Sequence, residues 1–226
     1  MYIGLDAGHT LSGLGTGASC YASETDMNRK VQKRLTEMLT EKGHKVHNCT
    51  VDKSNSDLSD RVNKANSVNL DLFVSLHLNA YQKTNNAMGV ETYYYSSSKK
   101  GKTYATNVQN ELVKEVGWKN RGIKTANFYV IKNTKAPAIL VELGFCDSKA
   151  DMDLFDVEKV CKALFKGITG VEYKSTTTTT TTTTTKPIYR VVIDGKHIGS
   201  YAELSNIIEQ IKNHISNAKK VEITRI

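Results

Sequence analysis

The sequence predicts an α/β domain with a largely parallel sheet flanked by helices, followed by a small C-terminal α+β module. Short apolar runs alternate with helical periods through residues 1–170, which is the pattern of a sheet built from crossover connections. An unbroken threonine run, Thr176 to Thr185, has nothing to bury and is typical of a semi-extended spacer. We therefore predict a domain over residues 1–174, a poly-Thr linker over residues 175–186 and a module over residues 187–226.

Composition limits the class of protein. The chain has 226 residues, 39% of them apolar and 24% charged, which suits one full core and something smaller. The formal net charge of +8 favours polyanionic surroundings such as nucleic acid, acidic membrane or acidic wall polymer. No leading basic and apolar segment and no long apolar run is present, so we expect neither a signal peptide nor a membrane span.

Six segments have the length and composition of strands. Four to seven residues, rich in β-branched and aromatic side chains, recur between the helical periods. The strands are predicted at residues 2–5, around Val46, and at residues 70–76, 90–95, 128–131 and 138–141.

Four apolar stripes at helical spacing lie between these strands. The first has residues four apart and follows Ser23 and Asp26, a plausible capping signal. The stripes are Met27, Val31, Leu35 and Leu39; Leu58, Val62 and Ala65; Tyr104, Val108, Leu112 and Val116; and Val157, Val160, Cys161, Leu164 and Ile168.

The C-terminal module has the pattern of a ββαβ unit. Residues 188–193 and 196–200 form a predicted hairpin around the turn Asp194-Gly195. An apolar stripe then predicts a helix, and a strand begins at Val221; the stripe is Leu204, Ile207, Ile208, Ile211 and Ile215. About forty residues is near the lower limit for an independent core, so the module could dimerise or dock on a partner.

Three predicted strands end in a polar residue that can carry chemistry. His9 follows the first strand, His77 ends DLFVSLH, and Glu142 lies in PAILVELGF. In open α/β sheets, functional groups converge at the carboxyl ends of the strands. One such histidine is more often a hydrogen-bonded core residue, but three strand ends with such groups indicate a site.

The residue types suit a catalytic zinc site. Such a site uses three protein ligands, commonly two imidazoles and a carboxylate, and keeps a position for water. Glu24 is the best candidate for the third ligand beside His9 and His77, although a carboxylate at a helix start is also explained by the helix dipole. Glu142 is then available as a general base.

Six motifs in order resemble the zinc-dependent N-acetylmuramoyl-L-alanine amidase family, in its type 3 catalytic-domain form. The motifs span nearly all of residues 1–170 and comprise DAGH at 6–9, Glu24 with Asn28, DRVNKANSVNLDLFVSLHLNA at 60–80, GVET at 89–92, NRGIK at 120–124 and PAILVELGF at 137–145. The resemblance implies peptidoglycan as the substrate. It also implies cleavage of the amide bond between muramic acid and the first L-alanine of the stem peptide.

Carried over residue by residue, the resemblance implies that His9, Glu24 and His77 bind one Zn²⁺ ion and that Glu142 is the catalytic glutamate. Asn79, Arg61 and Arg121 remain possible substrate contacts. A turn cap is the favoured alternative for Asn79, and loop-holding salt bridges are the favoured alternative for the two arginines.

The architecture resembles phage endolysins and autolysins, which join a wall hydrolase to a wall-binding domain. Seven basic and four acidic residues between 186 and 226 suit an anionic wall polymer. Without an export signal, we expect a phage or prophage endolysin of a Gram-positive host, held in the host cytoplasm until lysis and then acting at the wall.

The alternatives are a non-catalytic wall-binding protein and a zinc peptidase or deacetylase of the wall. Nucleic-acid binding is disfavoured because the positive charge is spread along the chain without a recognition motif.

Overall fold

The computed structural model describes residues 1–175, 189–201, 207–208, 211 and 220–225. Contacts divide the chain into two compact units, Met1–Thr176 and Thr177–Ile226. Within the described residues, no helix is long and apolar enough to cross a membrane.

The first unit is a six-stranded sheet flanked by helices. Its elements are β1 (Tyr2–Ala7), α1 (Glu24–Glu41), β2 (Lys45–Asn48), α2 (Asp57–Asn66), β3 (Leu72–Asn79), β4 (Val90–Tyr94), α3 (Lys99–Val116), β5 (Asn120–Thr125), α4 (Tyr129–Asn133), β6 (Ala138–Phe145), α5 (Lys149–Asp153) and α6 (Val157–Thr169). The strand order is β2-β1-β3-β6-β4-β5. Strands β2, β1, β3 and β6 are parallel, whereas β4 pairs with β6 in the antiparallel direction. The predicted α/β class and its mostly parallel sheet are confirmed.

One predicted strand is wrong, and one observed strand is not predicted. The sequence predicts a strand at residues 128–131, but Phe128 is the N-cap residue of helix α4 and the other three residues begin that helix. Val130 and Ile131 are consecutive and both buried, whereas Phe128 and Tyr129 are exposed, so the segment lacks the alternation of a half-buried strand. Strand β5 was not predicted because its sequence, NRGIKT, is mostly polar; it pairs with β4 at the edge of the sheet.

The predicted N-terminal cap of α1 is confirmed. The backbone N–H of Asp26 donates to Ser23 Oγ at 3.3 Å, which satisfies one of the free donors of the first turn. The apolar stripe of the helix is buried against the sheet; its fully buried members are Val31, Leu35, Met38 and Leu39.

Side-chain alternation on the strands divides the unit into two layers. On β3, Leu72, Val74 and Leu76 enter the larger core, which α1, α3 and α6 cover. The residues between them face the other side, where Phe73 joins a smaller cluster under α2 and α4. This second face also receives His77 and Asn79, because they continue the same period of two. The candidate functional residues of β3 therefore lie on the face that two short helices cover.

The second unit contains a three-stranded antiparallel sheet. Strands β7 (Tyr189–Ile193), β8 (Lys196–Tyr201) and β9 (Val221–Arg225) have the order β8-β7-β9. Asp194 and Gly195 have φ of 48° and 81°, the left-handed pair of a type I′ hairpin turn, as predicted. Of the predicted helix stripe, only Ile207, Ile208 and Ile211 lie within the described residues, where they are helical. The predicted linker after Ser175, and Leu204 and Ile215 of the predicted stripe, lie outside the described residues.

Candidate active site

Three side chains that the sequence singled out meet at one point. His9 follows β1, Glu24 begins α1 and His77 lies near the end of β3. Each offers one ligand atom, and these atoms all lie within 4.8 Å of one another. Glu24 Oε1 is 3.0 Å from His9 Nε2 and 3.2 Å from His77 Nδ1. The fold thus brings together three metal-binding groups from separate elements.

The backbone at His9 is strained and is held in place by its surroundings. His9 has a φ of 64°, in the left-handed region that side chains other than glycine rarely adopt. Its carbonyl oxygen accepts hydrogen bonds from Arg61 Nη2 at 2.7 Å and Arg29 Nη2 at 3.0 Å. Its Nδ1 donates to the carbonyl oxygen of Gly15 at 2.9 Å. These contacts turn the other ring nitrogen toward Glu24.

Close packing around the site requires glycine at two positions. A Cβ atom on Gly8 would lie 2.2 Å from the His77 ring, which is closer than any allowed contact between non-bonded atoms. A Cβ atom on Gly17 would lie 2.8 Å from Thr25 Oγ1 and 3.0 Å from Glu24 Oε2. The two glycines let the backbone approach the ligand side chains and hold their orientation.

Glu24 is buried but ionised. It is 2% exposed, and its two carboxylate oxygens accept backbone N–H bonds from Ala18 at 3.0 Å and Leu78 at 3.1 Å. Burial alone would raise the pKa of Glu24. Hydrogen bonds from His77 and His9 outweigh burial and hold that pKa well below its usual range. A carboxylate in this state is ready to bind a cation.

Glu142 lies beside this cluster in a different environment. It is the register partner of His77 on the neighbouring strand, so both side chains share one face of the sheet. Its Oε2 is buried and has no hydrogen-bond partner among the described residues. Burial raises the pKa of Glu142 to about 7. A carboxyl group with this pKa can gain or lose a proton near neutral pH, as a general base must.

A cleft gives access to the cluster. Its cavity has a volume of about 370 Å³, within the usual range for a ligand site. His9, His77 and Glu142 line one part of it, and Leu58 and Phe128 line another. The remaining lining residues are Asp6, Gly15, Asp57, Arg61, Tyr129, Val130 and Leu140.

Arg61 makes its contacts within the protein. Its side chain is 2% exposed and forms an ion pair with fully buried Asp6. It also donates to the carbonyl oxygens of Ala7 at 2.8 Å, His9 at 2.7 Å and Val51 at 2.9 Å. Arg61 therefore ties helix α2 to the end of strand β1, next to the cluster of His9, Glu24 and His77.

Asn79 and Arg121 both bind a residue that the sequence reasoning did not single out, Glu91. Oε1 of Glu91 accepts bonds from Asn79 Nδ2 at 2.8 Å and the Tyr93 hydroxyl at 2.7 Å. Oε2 accepts from Arg121 Nε at 2.7 Å and forms an ion pair with Lys124. Burial acts to raise the pKa of Glu91, but these bonds outweigh it and lower the pKa to about 2.

Glu91 is also the register partner of Glu142. Strand β6 lies between β3, which carries His77, and β4, which carries Glu91. The only sequence signal for it was the GVET motif, which carried no role for the glutamate. Its importance depends on pairing between β4 and β6, which are 44 or more positions apart along the chain and cannot be aligned by local periodicity.

Comparison with known proteins agrees with this geometry. The profile of the N-acetylmuramoyl-L-alanine amidase family matches residues 3–171, three quarters of the chain. The chain belongs to the N-acetylmuramoyl-L-alanine amidase family.

Individual proteins are similar to this chain over 63–77% of its length. An uncharacterized 38.4 kDa protein of Clostridium perfringens is 36% identical over 159 residues, which are 69% of this chain and 46% of that protein. N-acetylmuramoyl-L-alanine amidase LytC of Bacillus subtilis is 35% identical over 148 residues, 63% of this chain and 28% of LytC. The solved catalytic domain of the CD27L endolysin, which targets Clostridia difficile, is 31% identical with a TM-score of 0.69, covering 77% of this chain and 99% of that domain. The chain spans about half the length of the first curated relatives that it matches.

The family is zinc-dependent, and the donor set of this chain fits one zinc ion. His9 Nδ1 donates to a carbonyl, so the neutral ring presents a lone pair from Nε2 toward Glu24 Oε1, 3.0 Å away. Two lone-pair atoms at this distance need a proton or a metal cation between them. Zinc ligands at 2.0–2.1 Å from the ion lie about 3.3 Å apart. The two separations from Glu24 Oε1, 3.0 Å and 3.2 Å, are close to this value, and all three ligand atoms lie within 4.8 Å of one another.

Proposed function

We propose that this chain hydrolyses the amide bond between N-acetylmuramic acid and L-alanine in peptidoglycan. In this proposal His9, Glu24 and His77 bind one zinc ion and Glu142 is the general base. The observation that carries the proposal is the convergence of His9, Glu24 and His77 beside Glu142, whose buried Oε2 has no hydrogen-bond partner among the described residues. Membership of the amidase family supports the identity of the bond.

The chain's own groups supply proton transfer and orientation. A zinc ion at this position would act as a Lewis acid toward the scissile carbonyl and lower the pKa of water. Glu142 takes a proton from the attacking water as the new C–O bond forms. It then delivers that proton to the departing nitrogen as the amide C–N bond breaks, so the products are a carboxylic acid on the muramoyl unit, which ionises in water, and a free amine on L-alanine.

The three possible substrate contacts divide into two groups. The contacts of Arg61 favour a role in holding the His9 backbone, because each one is to a group of the protein. Asn79 and Arg121 are held by Glu91 in the same row as Glu142, which supports a role for them near the substrate.

We further propose that the protein acts as an endolysin on a Gram-positive wall, with residues 187–226 binding an anionic wall polymer. The similarity to the catalytic domain of the CD27L endolysin supports this role, as does the surplus of basic residues after the linker. The similarity to LytC supports the alternative of a bacterial autolysin. Expression inside a Gram-positive host separates the two: an endolysin should leave cells intact until their membrane is permeabilised.

The deciding experiment is digestion of purified Gram-positive peptidoglycan with and without a zinc chelator, followed by mass analysis of the new ends. Free N-terminal L-alanine that appears only with metal is the expected result. New ends inside the stem peptide would indicate a peptidase, and released acetate would indicate a deacetylase. Wall binding without cleavage would support the non-catalytic alternative.

A further inference from the structure

We infer that Arg121 and Lys124, held in place by Glu91, form a subsite for a carboxylate group on the stem peptide close to the scissile amide. This inference rests on the proposed amidase function and names the part of the substrate that the subsite selects.

The cluster of Glu91, Arg121 and Lys124 carries a net positive charge. The Glu91 side chain is 3% exposed, whereas the side chains of Arg121 and Lys124 are 29% and 40% exposed. Both cations bind the same oxygen of Glu91, and its other oxygen is occupied by Asn79 and Tyr93. Two positive charges and one negative charge leave a net charge of +1 on the exposed side. The buried Glu91 carboxylate is thus fully hydrogen-bonded, and the two cations that it holds form a positively charged surface.

Further contacts hold the side chains of Arg121 and Lys124 in place. The Arg121 guanidinium carbon lies 4.9 Å from the centroid of the Phe145 ring, and Nη1 contacts the carbonyl oxygen of Met88 at 3.4 Å. Within the described part of the chain, Nη2 has no hydrogen-bond partner. Lys124 Nζ lies 5.9 Å from the centroid of the Tyr93 ring. Because both cations are already ordered, binding an anion costs little additional side-chain entropy.

The two cations lie two strands away from Glu142, the proposed base. Glu142, Glu91 and the cations of β5 lie on three consecutive strands, β6, β4 and β5. Neighbouring strands are about 4.8 Å apart, so the cations are about 10 Å from Glu142 along the sheet. An extended peptide advances about 3.4 Å per residue. The subsite therefore lies within reach of the second or third residue beyond the scissile amide.

The chemistry of the stem peptide suits this position. Its second residue is D-glutamate, which carries a free carboxylate unless it is amidated. A cationic subsite should favour the carboxylate over the uncharged amide, because only the charged form gains a charge-assisted hydrogen bond. The alternative is that the cluster serves only to fasten the edge strand β5.

The test compares two muropeptides that differ only in a carboxylate or a carboxamide on the second stem residue. Zinc-loaded full-length protein should cleave the acidic substrate with a kcat/KM roughly tenfold higher, a typical gain for one charge-assisted bond. Lys124→Gln and Arg121→Gln should each reduce this ratio toward one. Lys102→Gln, which removes an exposed cation from helix α3 on the opposite face of the sheet, should leave the ratio unchanged.

Thermal unfolding of each variant shows whether the fold is retained, and a change in ratio between two substrates does not depend on the amount of folded protein. If Lys124→Gln lowers kcat/KM equally on both substrates, the subsite is excluded and the cluster serves only to fasten strand β5. Wild-type protein that releases L-alanine ends equally from both substrates would overturn the subsite and leave the amidase proposal standing. Wild-type protein that cleaves neither substrate would overturn both proposals.

Discussion

Glu24 and Glu142 are two glutamates in one cleft with opposite electrostatic behaviour. Glu24 is almost fully buried, and Glu142 is half-buried with a fully buried Oε2. Burial alone raises the pKa of a carboxyl group. Two histidines bind Glu24 and hold its pKa far below the usual range. Glu142 has one oxygen without a hydrogen-bond partner among the described residues, and its pKa is raised to about 7. The partners of each residue therefore separate a candidate ligand from a candidate base.

Glu142→Gln should abolish hydrolysis while zinc still copurifies with the protein. The substitution keeps the size of the side chain and removes its ability to accept a proton, and it leaves His9, Glu24 and His77 in place. Zinc content by elemental analysis and release of L-alanine ends would be measured on the same preparation.

His77→Ala is the matched contrast, because it should lose both metal and activity. Full zinc occupancy in His77→Ala would break the proposed ligand set. Activity retained in Glu142→Gln would exclude Glu142 as the base.

Acidification should reduce kcat/KM as Glu142 takes up a proton. Because its pKa is raised to about 7 in the absence of metal, the base is available above that pH and is lost below it. A bound cation would favour the ionised carboxylate, so the acidic limb of the zinc enzyme should lie at or below pH 7. The pH profile must be accompanied by zinc content at each pH, since the histidine ligands also bind protons. A rate that stays constant from pH 8 to pH 4 with zinc retained would contradict this assignment.

At the scale of elements, the pair Arg61 and Asp6 joins α2 to β1 beneath the site. Both side chains are almost fully buried, and Ser75 also donates to Asp6, at 2.8 Å. A buried ion pair contributes little relative to an apolar pair of the same shape, but removing one partner leaves an uncompensated charge. Through the His9 carbonyl oxygen, this pair also supports the strained backbone of a candidate ligand.

Arg61→Ala should therefore lower the free energy of unfolding by about 3–5 kcal/mol. Denaturation can be followed by the fluorescence of Trp118, the single tryptophan of the chain, which is 2% exposed within the first unit. Arg34→Ala is a suitable control because its pair with Glu158 is at the surface, where an ion pair contributes about 0–1 kcal/mol. Equal losses in the two variants would show that Arg61 makes no special contribution.

At the scale of the whole molecule, the chain consists of two compact units with separate cores. Among the described residues, those that form the candidate active site all belong to the first unit. Catalysis and attachment to the wall are therefore expected to be separable.

A chain that ends at Lys174 should remain folded and cut isolated wall fragments, but bind whole walls less well than the full chain. Pelleting with intact walls measures binding, and release of L-alanine ends from fragments measures cleavage. The full chain with Glu142→Gln is the appropriate binding reference, because it does not digest the wall. Equal binding by the short and full chains would remove the proposed role of residues 187–226.

Local patterns were sufficient to predict the elements that bury apolar residues with a regular period. Helix α1 with its Ser23 cap and the hairpin at Asp194-Gly195 formed as predicted, because these features depend on neighbouring residues. Segment 128–131 did not follow its apolar composition, since the four residues divide between an exposed start and a buried end of a short helix.

By itself, the sequence determined which residues are available for chemistry: polar side chains at the ends of apolar strands and a glutamate at a helix start. Only the tertiary structure decided that His77, Glu142 and Glu91 form one row across adjacent strands, and that Arg121 and Lys124 share a buried carboxylate. The physical reason is that side-chain periodicity is local, whereas strand direction and register arise from contacts between distant segments. The reversed strands β4 and β5 bring Glu91 and its cations to the row of His77 and Glu142, and no period within either segment indicates that reversal.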